Sequence, residues 1–203
     1  MTVLSITGLP LVGSERIAEL LERPLPAPRR DPVGYASARV LEALLESLLA
    51  LEFLEKGYTR NAAGKAFQAW KALIGALLAL EKDRIEKMLR TDKERRWIAE
   101  KGVARVPTAS LKPLSQLLEE AGYKHLSSYT AMALNLHSYQ YHGPDPSGEF
   151  SPYPTRESAA KDILLLLVAL VELVEGRVKP RLEKEKAWTP EHQQALQTLR
   201  QRL

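Results

Sequence analysis

The densest run of chemically capable side chains lies between Leu134 and Glu157, LNLHSYQYHGPDPSGEFSPYPTRE. His137 and Tyr141 stand four residues apart, which puts both on one face of a helix. Tyr139, His142, Asp145, Tyr153 and Arg156 add donors, an acceptor and stacking surfaces. Aromatic rings beside cations are what base stacking and phosphate contact require. The same residues also suit a structured loop whose tyrosines lock it to the body and whose Arg156 pairs with Asp145 or Glu149. His137 or His142 could serve as a general base oriented by Asp145, a chemistry for which the sequence supplies residues but no geometry.

A second candidate is TRNAAGKAFQAWKA, Thr59 to Ala72. Steps of four and three place Asn61, Lys65 and Gln68 on one polar stripe, with Lys71 or Ala72 next. Arg60 falls at the helix start, where free backbone N–H groups and the dipole favour an anion. A solvated helix face accounts for the same pattern. Gly64 costs about 1 kcal/mol against Ala in a helix interior and would let a neighbouring helix come close. Trp70 reads as core. The candidate ligand residues are therefore Arg60, Asn61, Lys65, His137, Tyr141, His142, Asp145 and Arg156, with no catalytic residue assigned.

Other chemistries are not encoded. There is no P-loop, GxGxxG or HExxH motif. The four histidines are scattered; His137 and His142, five apart, do not align on one turn, so no metal and no cofactor is expected. With no cysteine there is neither a disulfide framework nor a thiolate site. The net charge of +4 permits an acidic partner without demanding one. Its basic excess, in 82–105 and 177–202, is interleaved with acids as in KDRIEK and RLEKEK, the mark of solvated helices with i, i+4 pairs. Abundant Leu, Glu, Lys and Arg with scarce Asn fit a thermophile, and high-GC coding gives the same bias.

The elements that must position these residues are helical. Ser14 to Glu22 reads as an amphipathic helix capped by Ser14, and the prolines of PLPAPRRDP make an extended linker. Asp31-Pro32 starts a helix carrying Leu41, Leu44, Leu45, Leu48, Leu51 and Leu54, stopped by Gly57. Thr59 or Asn61 caps the next, which runs to about Arg90 and pairs with it as an antiparallel hairpin. Asp92 opens a charged helix ending at Gly102, Ser110 one ending at Gly122, and Ser127 or Ser128 one that stops in HGPDPSGEFSPYP. Such a long irregular loop is uncommon in a compact domain and is often functional. Thr155 caps a long helix whose residues 163–171 are apolar all round, which predicts a central position, with Pro180 ending or kinking it. Thr189-Pro190-Glu191 starts the last helix. The expected fold is all-α, an antiparallel bundle of about five main helices with short N- and C-terminal helices: 1–30 helix and linker, 31–180 core, 181–203 extension.

The segments GYTRNAAGKAFQAWKALIGALLA, RRWIAEKG and LNLHSYQYHGPDPSGEFSPYPTRESAAKDI, in that order, resemble the archaeal PaREP family over roughly Tyr35 to Val174. That family is grouped with HEPN-like helical bundles. The resemblance implies a HEPN-like antiparallel bundle, a homodimer and a link to nucleotides or RNA. Ribonucleases of that group carry Arg, four to six residues, then His; no Arg stands at that spacing before His125, His137, His142 or His192. The nuclease mechanism is therefore not inherited. The reading is a non-nucleolytic nucleotide- or RNA-binding protein, with a dimeric protein-interaction module as the alternative. MTVLSITGLPLVGSER has no basic n-region, and the longest apolar run, Ile163 to Val171, is too short for a bilayer, so a cytoplasmic location with no membrane partner is expected.

Overall fold

The computed structural model describes residues 14–203. The side chain of Ser14, expected as a cap, lies outside the described residues, as does most of the N-terminal stretch read for a signal. Helix α1, Ser14–Leu21, leads through the proline segment to α2, Pro32–Glu55. Asp31 caps α2 as its type demands: Oδ1 accepts from Gly34 N–H at 2.7 Å, and Pro32 fills the first position, where no donor is needed. Gly57, at φ +79°, ends it. Gly57 N–H donates to Leu54 O and Tyr58 N–H to Phe53 O, and the rings of Phe53 and Tyr58 meet edge to face, which together make a Schellman turn with its hydrophobic contact.

That turn delivers the chain into α3, Thr59–Leu80, antiparallel to α2. The expected caps are corrected here. Tyr58 is the cap residue and uses no side chain, while Thr59 is already helical and buried. The helix also stops ten residues earlier than its apolar face predicts. Arg181 donates to the Leu80 carbonyl and, at 2.5 Å, to Glu81, which also accepts from Tyr123 at 2.9 Å. These bonds hold the chain at a break before α4, Lys82–Met88. Thr91, not Asp92, caps α5, Asp92–Trp97, in a capping box with Glu94. A wide turn at Ile98–Gly102 carries the chain past the expected stop into α6, Val103–Arg105. Then come α7, Leu111–Glu120, and α8, Leu126–His142, whose cap is His125 in the left-handed region instead of Ser127 or Ser128. Thr155 caps α9, Arg156–Leu173, in a box with Ser158. A second wide turn, Val174–Val178, precedes the Pro180 helix α10, Lys179–Lys184, and α11, Pro190–Arg202, packs on α2.

No strand occurs among the described residues, and the fold is an all-α helical bundle. Its central member is α3, not α9. Helices α2, α6, α7, α8 and α9 all pack on α3, and it is buried except along one stripe. Alanine and glycine dominate its contacts, so neighbours approach closely. Trp70 is fully buried and its Nε1–H donates to Thr130 Oγ1 of α8 at 2.9 Å. By contrast Leu164, Leu165 and Val168 of α9 face outward.

His192 fastens α11. Its Nδ1 accepts from Thr189 N–H at 3.1 Å, which leaves Nε2–H to donate to Ser37 O at 2.8 Å. Burial holds its pKa below the ordinary histidine value, against the Ser37 carbonyl, which favours the charged form. On acidification the unfolded chain takes up this proton first, so stability falls as pH drops from 6.5 toward the folded value and then levels off. Urea unfolding at about pH 7.5 and about pH 5 should show a smaller acid loss in His192→Gln than in the wild type. Equal losses would exclude this role.

Candidate functional site

The open stripe of α3 consists of Arg60, Asn61, Lys65, Gln68 and Lys71, in agreement with the spacing in the sequence. Helices α2, α8 and α9 all pack on α3; beside the stripe, Glu46 of α2 meets Lys65 and Gln140 of α8 lies over Gly64. Gly64 makes room for a side chain of α8: a Cβ there would lie 2.7 Å from Gln140 Cδ. One turn on, Phe67 stacks on His137 with centroids 4.1 Å apart, and Tyr141 meets that imidazole edge-on at 5.2 Å.

Several candidate ligands are already engaged. Arg60 does not wait for an anion at the start of α3. Its Nε donates to Gln140 O at 3.0 Å and its Nη2 to Tyr141 O, so its charge compensates the carbonyl end of α8. Lys65 pairs with Glu46 of α2: Nζ donates to Oε1 at 3.2 Å and lies 2.9 Å from Oε2, without the angle for a second hydrogen bond. Glu46 is only 9% exposed, and burial pushes its carboxyl up, partly offset by Lys65. Asp145 is the hub of its loop. Its carboxylate accepts from the Ser147 hydroxyl at 2.5 Å and from the backbone N–H groups of Ser147, Phe150 and Ser151 at 3.0, 2.6 and 3.1 Å. Those bonds, the Ser147 hydroxyl first, hold its pKa far below the usual carboxylate range. It is bonded to neither His137 nor His142, so no oriented-base pair exists in this geometry. Arg156 pairs with Glu157 at 3.6 Å, not with Asp145 or Glu149.

The irregular loop is thus fully specified. Ser138 Oγ donates to Phe150 O at 2.7 Å, and Tyr153 OH donates to Asp162 at 2.7 Å while its ring meets Tyr139 edge to face. This organisation leaves three large rings exposed at one end of the bundle: Tyr58 at 58%, Tyr141 at 60% and Phe150 at 59%. His142 lies 5.5 Å from the Phe150 ring. Arg60 and Arg156 belong to the same end, since Arg156 Nη2 reaches the Gly57 turn and Arg60 runs beside Gly143. Sequence reasoning missed Tyr58 and Phe150; the signal for Tyr58 was the Gly57 stop, which forces the next side chain outward.

Elsewhere, a largely apolar groove of about 700 Å³ lies between α5 and α7, lined by Leu89, Trp97, Ile98, Pro113, Leu114 and Leu117. It gathers no candidate ligand residue. No three His, Asp or Glu side chains among the described residues converge as metal ligands would. No helix among them is long and apolar enough to cross a membrane.

Gly143 sets the direction in which the loop leaves α8, with φ +73° and ψ −159°, a conformation open essentially to glycine alone. Gly143→Ala should cost about 1–3 kcal/mol in thermal unfolding and loosen the ring cluster to proteolysis within 144–152. An unchanged Tm with unchanged protease resistance would show that the loop is held without it.

No curated protein and no solved structure matches the chain. A family model does, over residues 38–164 and so over more than half of the chain, and it covers α3, α8, the 143–155 loop and the start of α9. On that match the chain belongs to the Archaeal PaREP1/PaREP8 family.

Proposed function

We propose that this protein binds a nucleotide or single-stranded RNA, without cleaving it, at the end of the bundle where Tyr58, Tyr141 and Phe150 stand beside Arg60 and Arg156. The observation that carries the reading is three exposed aromatic rings beside two guanidinium groups on a rigid scaffold. Exposed rings of this size are costly to leave in water, and base stacking is worth about 1–3 kcal/mol per base. Of the expected ligand residues, Tyr141, His142, Asn61 and Arg156 keep faces or donors for the ligand. Arg60, Lys65 and Asp145 act mainly as scaffold, with Nη1 of Arg60 still outside its two bonds to α8. The absent Arg-to-His spacing supports binding without hydrolysis.

Anisotropy of a labelled short RNA, read at low and raised salt, tests this. Tyr141→Ala should weaken binding about tenfold through lost stacking. Arg156→Ala should weaken all sequences alike and reduce the salt slope by about 0.7. The RNA should be recovered intact. No binding at low salt, where phosphate contacts are strongest, ends the reading.

A second reading, self-association, is favoured by α9. Its outward stripe runs Lys161, Leu164, Leu165, Val168, Glu172. Lys161 and Glu172 have no ion pair among the described residues, and the stripe is self-complementary. An antiparallel copy centred between Leu166 and Leu167 sets Leu165 against Val168 and Lys161 against Glu172, the isologous pattern of a two-fold dimer. Light scattering should then give a dimer that Leu165→Glu dissociates. Lys161→Glu alone should weaken it, and Lys161→Glu with Glu172→Lys should restore it. A monomer at every concentration, or no effect of the single charge reversal, rules this out.

A further inference from the structure

The two basic stretches of the chain differ in how their charge is spent. In 177–202, Lys179, Arg181, Arg200 and Arg202 stand in ion pairs with Glu183, Glu81, Glu175 and Glu55. In 82–105, nine Lys and Arg face five Asp and Glu. There the side chains of Lys93, Arg96 and Lys101 make neither an ion pair nor a hydrogen bond among the described residues. All three are exposed, and they line one hollow of about 340 Å³ together with Trp97 and Glu100. Steps of three and four residues bring them to one side of α5 and of the wide turn that continues it. The single acid of that hollow is already taken. Arg29 lies 3.4 Å from Glu100 and donates to the Ala99 carbonyl at 3.2 Å. The proline segment thus neutralises Glu100 and leaves three cations unbalanced.

Lys93 and Trp97 also line the apolar groove of about 700 Å³ between α5 and α7. Ile98 and Leu114 are buried within it, and Leu89, Leu117 and Trp97 are half-buried along it. Gly102 gives the indole its room: a Cβ there would lie 3.2 Å from Trp97 Cζ3 and 3.1 Å from Ile98 Cδ1. Trp97 therefore borders the apolar groove and the cationic hollow at once. Two acids also border the groove. Glu94 is spent on the cap of α5, where it accepts from Thr91 N–H at 2.9 Å. Glu120, at the end of α7, has no ion pair among the described residues and repels an anion from its own rim. Negative charge is directed to the Lys93 side.

An occupant must suit both halves. A lone phosphate or carboxylate leaves the apolar groove in water, and a single-headed amphiphile brings one charge to three cations. A nucleic acid supplies charge but no aliphatic surface for Leu89, Leu114 and Leu117. A helix with apolar side chains at i, i+3, i+4 and i+7 and carboxylates along one flank supplies both. We infer that this groove docks an acidic amphipathic helix of a partner protein, its apolar face against Trp97, Ile98, Leu114 and Leu117 and its acidic flank against Lys93, Arg96 and Lys101. The ten residues of α7 give a seat of about 15 Å, enough for about three turns. The cations steer the partner and fix its direction. Trp97 is the anchor, a residue type in which interface energy concentrates. The site uses none of Tyr58, Tyr141 and Phe150, so it does not rest on nucleic-acid binding.

Anisotropy of a labelled synthetic peptide tests it, a helix of about three to four turns with Leu at i, i+3, i+4 and i+7 and Glu along one flank. It should bind at low salt, bind more weakly at raised salt, and blue-shift the tryptophan emission, a shift lost in Trp97→Phe. The same peptide with Lys for Glu should bind about tenfold more weakly or worse, as should a scrambled peptide of equal composition. Lys93→Glu with Arg96→Glu should reverse the preference, taking the Lys peptide over the Glu peptide. Leu117→Glu should weaken the Glu peptide about tenfold. Should Leu117→Glu fail to fold, the charge-reversal pair, at exposed positions, carries the test. No binding at low salt, equal binding of the Lys or scrambled peptide, or an unchanged preference in the double variant overturns the site. Displacement of the peptide by short RNA would make the basic side a nucleic-acid surface. Self-association abolished by Lys93→Glu with Arg96→Glu would make it a contact between copies. Either result also overturns the proposal. RNA bound at the aromatic end with the peptide unbound would uphold the proposed function and sink this site alone.

Discussion

Close approach to α3 governs the molecule. A helix packed on several sides cannot carry large side chains on all of them, because neighbouring axes must come within about 8–10 Å. The α3 sequence meets that demand with Ala62, Ala63, Gly64, Ala66, Ala69, Ala72, Gly75, Ala76 and Ala79, all buried, and fills the remaining contacts with Phe67, Trp70, Leu73, Ile74, Leu77 and Leu78. Gly64 pays an intrinsic helical penalty so that an amide from α8 can lie on the backbone. The exposed features of the bundle follow from this geometry. The one stripe of α3 that no helix covers becomes a polar face, and the end where α3 begins and α8 stops becomes the aromatic surface.

Much of this was legible in the sequence because caps and stops are local. Asp31-Pro32, Gly57, Gly122, Thr155 and Thr189-Pro190 each act where their side-chain chemistry predicts. The polar stripe of α3 was also legible, since one side chain every three or four residues is a property of the helix alone. What escaped depends on partners distant in sequence. The break at Glu81 is imposed by Arg181, 100 residues away, and Tyr123. The central place given to α9 rested on an apolar run, yet apolar content does not say which side is covered. An Ala- and Gly-rich helix with less leucine occupies the centre instead, because size, not hydrophobicity, limits how many neighbours a helix can have.

The candidate site shows the same division. Residue type located the right segments but not the residues' tasks. Arg60 was read by its position at a helix N-terminus, and it serves a different helix's C-terminus, where the sign of the dipole is reversed. Asp145 looked like an orienting carboxylate, and its bonds to Ser147, Phe150 and Ser151 consume its acceptor capacity in holding the loop. Both are spent on pre-organisation. A loop of residues 143–155 with four prolines and two glycines would be mobile if untied, and mobile rings make poor stacking surfaces because ordering them costs conformational entropy. Fixing the loop through Asp145, Ser138 and Tyr153 is what allows Tyr141 and Phe150 to stay exposed in defined positions.

His137 joins the two regions. Its ring stacks on Phe67 in the core, meets Tyr141 of the exposed surface edge-on, and feels the charge of Lys71 on the α3 stripe. A change in its protonation alters the face offered to Phe67 and the edge offered to Tyr141 together, because one rigid ring makes both contacts.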